Sequence, residues 1–150
     1  MVIEDFSGVT PPASVTDLAG WSQALDSKPG MTVVSFAGES ALRVPGSGSS
    51  GHASLTKPVA VPAGAPVTLS FRIFLADDYA GDVSIGLSDT SAAEAGAGLA
   101  QRMAGSLRFT AAGAVQIHDG GFHVADQEVP TNRWVAFRMR MDPNTDRKST

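Results

Sequence analysis

The sequence predicts an all-β protein, an antiparallel two-sheet sandwich folded as a single domain over residues 1–150. Three observations carry this. Apolar and polar residues alternate with period two in the longest ordered segments, the pattern of strands with one buried face. Stretches rich in Gly, Pro, Ser and Asp separate those segments at short intervals. Only "SAAEAGAGLAQRMAG", residues 91–105, has helical composition, and Gly96 and Gly98 each weaken it by about 1 kcal/mol relative to Ala, so it reads as a loop with one helical turn.

Along the chain, short strands are expected at "VIEDF" (2–6), "MTVVSF" (31–36), "SALRVP" (40–45) and "HASLTKPV" (52–59), with "KPG", "AGES" and "PGSGSSG" as the turns between them. The clearest strand is "PVTLSFRIFL" (66–75). It turns Val67, Leu69, Phe71, Ile73 and Leu75 inward and Thr68, Ser70, Arg72 and Phe74 outward. "DVSIGLS" then turns Val83, Ile85 and Leu87 inward, and "SLRFT" does the same with Leu107 and Phe109. "RWVAFRMRMD" (133–142) buries Val135, Phe137, Met139 and Met141. Between these last two, "AVQIHDGGFHVAD" (114–126) reads as a hairpin closed at Asp119-Gly120 or at Gly120-Gly121. Either two-residue turn places Val115, Ile117, Phe122 and Val124 on the core face, with Gln116, His118 and His123 together on the outer face.

Composition narrows the function. Eleven Lys and Arg against 15 Asp and Glu give a net charge of −4, which argues against nucleic-acid binding by bulk charge. No apolar run is long enough for membrane insertion, and "MVIEDF" has neither the basic start nor the apolar stretch of a signal peptide. The chain has no cysteine, so disulfides, thiolate metal sites and cysteine nucleophiles are excluded. Abundant Gly, Ala, Ser and Thr with 17% charged residues suit a β-domain that works outside the cell or on its surface.

In order, "IEDFSG", "GWSQ", "GESALRVPG", "ASLTKPVAVPAGAPVTLSFRIFLADD", "GDVSIGLSD", "GSLRFT" and "NRWVAFRMRMDPNTD" make the chain resemble the concanavalin A-like jelly rolls of the laminin-G-like, lectin and glucanase type. The features that carry the likeness are Gly38-Glu39-Ser40-Ala41-Leu42 before the long core strand and a strand that opens at Trp134 and closes at Asp142. The resemblance implies an antiparallel jelly-roll sandwich. It also implies one more strand after the Asp-Pro turn, so a fragment lacking a C-terminal strand, or a gap filled by another chain, is expected.

The outer faces supply the candidate ligand site. Arg72, Arg108, Arg138 and Arg140 fall on outward positions, as do Phe74, Trp134, Gln116, His118 and His123. An Arg fork holds a carboxylate or sulfate bidentately and an aromatic ring stacks on a sugar, so the set suits an acidic polysaccharide. The competing reading divides these side chains between two sheets, as polar cover for each.

"QIH", residues 116–118, is similar to the Gln-x-His strand of alginate-lyase-type jelly rolls, which implies a Gln that neutralises a uronate carboxylate and a His that accepts the adjacent proton. The arginine-rich strand and the Tyr-x-Lys strand of that family are missing, and Tyr79, the one tyrosine, is expected in a loop. Glycoside hydrolysis has no carboxylate pair of the glucanase spacing to work with, and no Gly-x-Ser-x-Gly occurs.

The resemblance also implies a structural calcium near the sandwich rim, for which "ADDYAGD" offers Asp77, Asp78 and Asp82. Asp142, Asn144 and Asp146 have calcium-loop spacing, but Arg147 replaces the required Gly, so "DPNT" reads as a turn. His118 and His123 offer two nitrogen ligands where a zinc site takes three or four. The expected function is therefore a non-catalytic carbohydrate-binding module, with an assembly module pairing with another protein chain through an open sheet edge as the alternative and a polysaccharide lyase third.

Overall fold

Alternation is realised as strands throughout the computed structural model, which describes residues 6, 8–26, 30–44, 52–88, 103–118 and 122–141. In chain order the strands are β1 (Ala13–Ser14), β2 (Ser22–Asp26), β3 (Thr32–Phe36), β4 (Glu39–Arg43), β5 (His52–Thr56), β6 (Val67–Phe74), β7 (Val83–Ser88), β8 (Met103–Phe109), β9 (Ala114–His118), β10 (Phe122–Glu128) and β11 (Trp134–Met141). Every pairing among them is antiparallel. Among the described residues the only helix is a single 3-10 turn, Val15–Asp17, and no helix is long and apolar enough to cross a membrane.

Some expectations change. β1, β2 and the 3-10 turn lack the long alternation that marks the other segments. The loop expected over 91–105 ends earlier, since Met103 already belongs to β8. Residues 2–5 of the expected first strand lie outside the described residues, as do the 45–51 and 119–121 turns, the rest of the 91–105 segment, and Asp142, Asn144 and Asp146.

Two compact units make up the chain, one containing β1–β5 and the other β6–β11. In the first, β3 is flanked by β1 and β4, and β2 pairs with β5. The β3–β4 hairpin pairs Phe36 with Glu39. It closes through Ala37 and Gly38 at φ 51° and 80°, the left-handed pair that a two-residue turn needs to match strand twist. Ser14 caps the 3-10 turn by accepting the Thr16 N–H at 3.3 Å, and among the described residues of this unit Val15, Met31 and Val33 are the buried apolar side chains.

The second unit has a four-stranded sheet, β10-β9-β8-β7, and a two-stranded ribbon of β6 and β11. Their inner faces pack together, as in a β-sandwich. Ile73, Leu75, Leu107, Phe109, Val115 and Val129 form the core, with Phe71, Tyr79, Ile85, Ala125, Val135, Phe137 and Met139 against it. Phe109 meets Phe71 and Phe137 edge to face at centroid distances of 6.1 and 4.9 Å. Met141 closes over bare backbone, for a Cβ on Gly105 would lie 2.7 Å from its sulfur.

Two expectations for the hairpin need correction. Ile117, expected in the core, is 43% exposed although its cross-strand partner Leu107 is only 8% exposed. Ile117 lies one pleat nearer the hairpin tip than Val115, where core packing on β9 ends. The β9–β10 register pairs His118 with Phe122 and Ile117 with His123, leaving three residues between the paired ends instead of two. That one-residue difference reverses the faces along β10, so the positions of His118 and His123 fall on opposite faces. Side-chain placement of Phe122, His123 and Val124 lies outside the described residues.

Candidate functional site

The β6–β11 register decides which outward residues meet. It pairs Phe74 with Trp134, Arg72 with Ala136, Ser70 with Arg138 and Thr68 with Arg140. Because directly opposed residues share a face, all eight line the outer surface of the ribbon, and none of them is acidic. Arg72, Arg138 and Arg140 are exposed, and Phe74 and Trp134 are half-buried.

At one end of this face the side chains already touch. The Arg72 guanidinium carbon lies 5.2 Å from the centroid of the Trp134 ring, and Phe74 meets the same ring at 5.7 Å and 66°. A guanidinium over an indole face gains about 0.5–1 kcal/mol at an exposed site, and the contact narrows its orientations. Trp134 thus helps to position a flat cation, and a guanidinium is the group that matches a carboxylate or sulfate bidentately.

The other expected ligand residues sit elsewhere. Arg108, Gln116 and His118 belong to β8 and β9, where Arg108 pairs with Gln116 and Ser106 with His118. The division of the polar residues between two sheets is therefore real. That second face is not the wet surface expected for it: Ser106 is 1% exposed, and Gln116 and His118 are half-buried. His118 Nδ1 and Gln116 Oε1 are shielded from solvent, and among the described residues neither Gln116 Oε1 nor Ser106 Oγ has a hydrogen-bond partner. Alternation identified the face of Ser106, and nothing in the local sequence signals that this face is covered.

Arg108 is engaged with a carboxylate. Its Nη2 donates to Asp82 Oδ2, and Asp82 Oδ1 also accepts the Ala111 N–H at 3.4 Å. The two side chains are 34% and 40% exposed, so the pair contributes about 0–1 kcal/mol and orients more than it stabilises. Among the described residues no three His, Asp or Glu side chains gather as a metal centre would require, and Asp77, Asp78 and Asp82 are not brought together.

Tyr79 lies in the loop between β6 and β7, as expected, and from there its ring packs on the core while its N–H donates to Ala76 O at 3.2 Å. Burial first, and the Asp82 carboxylate second, push its phenol above the ordinary value near 10. The folded state therefore keeps its proton at alkaline pH where the unfolded chain releases it. This contribution to stability is complete below pH 10 and is lost as pH climbs through the raised folded value. Melting temperature is expected to fall over that range in the wild type and to fall less steeply in Tyr79→Phe; parallel profiles would show that another group is responsible.

Comparison of the chain with protein-family models, with curated proteins and with solved structures gives no match.

Proposed function

We propose that the protein is a non-catalytic carbohydrate-binding module of the concanavalin A-like jelly-roll class, acting outside the cell or on its surface, and that its ligand is an acidic polysaccharide. One observation carries this reading: Arg72, Arg138 and Arg140 share an exposed face with Phe74 and Trp134, and Arg72 stacks on the Trp134 ring. Cations bind the acidic groups, aromatic surface accepts the apolar face of a pyranose, and neither task needs an acid–base pair. The charge is local. A chain with net charge −4 repels polyanions in general, so binding must rest on the arginines of this face.

The test is the triple variant Arg72→Ala, Arg138→Ala, Arg140→Ala against a soluble polyuronate, a sulfated polysaccharide and a neutral glucan. Wild type should bind at least one acidic polymer, more weakly as salt rises, and the neutral one poorly. The variant should lose at least about tenfold in affinity, a figure discounted for solvent screening from about 1.5–3 kcal/mol per charge-assisted hydrogen bond. Unchanged binding by a folded triple variant removes the proposal.

A further inference from the structure

The same face has a direction. Starting at the Phe74/Trp134 pair, successive same-face steps along the ribbon bring Arg72 beside Ala136, then Arg138 beside Ser70, then Arg140 beside Thr68. Each step along a strand face is about 6.8 Å, so Arg72 and Arg140 stand about 14 Å apart along the strand axis, with the aromatic pair about 7 Å further on. At every cationic step the opposing residue is Ala, Ser or Thr, too short to block approach across the strand pair. Ser70 and Thr68 also present hydroxyls beside Arg138 and Arg140.

A lone acidic sugar engages one such step. A chain with repeated acidic groups engages several, and later contacts form without a second association cost. From this we infer that the ligand is a linear acidic glycan several units long, lying parallel to β6 and β11, with one ring against the aromatic end and acidic groups along the three arginines. The inference rests on the reading of this face as an acidic-glycan surface and adds the length and orientation of what it takes.

The experiment is calorimetric titration of the whole chain with galacturonic acid and its oligomers of increasing length, for wild type and for Arg140→Ala, with melting curves to confirm that the variant folds. Wild-type affinity should rise at least about tenfold from monomer to a chain that spans the track, then level off. Arg140→Ala should lower the affinity of the long chain far more than that of the short ones, so that the gain with length largely disappears. A sulfated oligosaccharide series run in parallel identifies which acidic group is preferred, and the same rise with length in either series supports the inference. Affinity that does not change with length, or an Arg140→Ala effect equal for short and long chains, overturns the linear arrangement while the acidic-glycan reading stands. No binding to any acidic polymer, of any length, overturns both.

Discussion

Phe109→Ala is expected to lower unfolding stability by about 3–5 kcal/mol, seen as an earlier midpoint in urea with little change in slope. The ring is wholly buried and lies where the two sheets of the second unit meet. Its edge contacts with Phe71 at 6.1 Å and Phe137 at 4.9 Å join β8 to both strands of the ribbon. Those contacts add about 0.5–1.5 kcal/mol per pair beyond area burial. Neither neighbour can swing in to fill the space, since Phe71 and Phe137 already stack on each other at 5.7 Å and are held opposite one another in the ladder. Native domains have about 5–15 kcal/mol in total, so the loss is a large share of it. A loss under about 1 kcal/mol would mean that the ring does not stand between the sheets.

Gly86→Ala should be nearly as damaging for a different reason. Gly86 faces Ser106 across the β7–β8 ladder, and a Cβ there would lie 2.2 Å from the Gly105 carbonyl oxygen and 2.6 Å from Ser106 Cβ. Backbone supplies the closest of these atoms and cannot rotate aside, so the ladder must part. The expected cost is about 3 kcal/mol, at the upper end for overpacking, with the melting temperature falling by about 2–4 °C per kcal/mol. Gly8→Ala is the control. Nothing lies within 4 Å of its Cβ position, and a change within about 0.5 kcal/mol is expected. If both variants melt alike, the close approach of β7 to β8 is wrong.

These two predictions show how differently legible the parts of the fold are. Phe109 was inward by alternation alone, as were Ile73, Leu75 and Leu107, all of them buried. Gly86 is, in the sequence, only one outward position between the inward Ile85 and Leu87, because the clash belongs to a strand that begins 17 positions later in the chain. Ile117 had the same alternation as Val115, yet one is 43% exposed and the other 5%. Periodicity assigns a side chain to a face and carries no information about how far the opposing sheet reaches.

The candidate site divides in the same way. Outward arginines and aromatics were visible one strand at a time, but Arg72 and Trp134 are 62 residues apart, and their stacking depends on β6 and β11 being neighbours in one register. A two-residue turn would place His118 and His123 on one face; three residues between the paired ends put their positions on opposite faces. Local sequence offers Asp82 to a cation, whereas the fold places Arg108, 26 residues on, against its carboxylate.

The sequence by itself determined that the chain is made of antiparallel strands and which residues of most strands turn toward oil or water, because the two-residue repeat of an extended backbone is a local property. Tertiary structure alone decided which strands adjoin, which outward residues meet, and where a polar face is covered, because those depend on pairing between segments far apart in the chain.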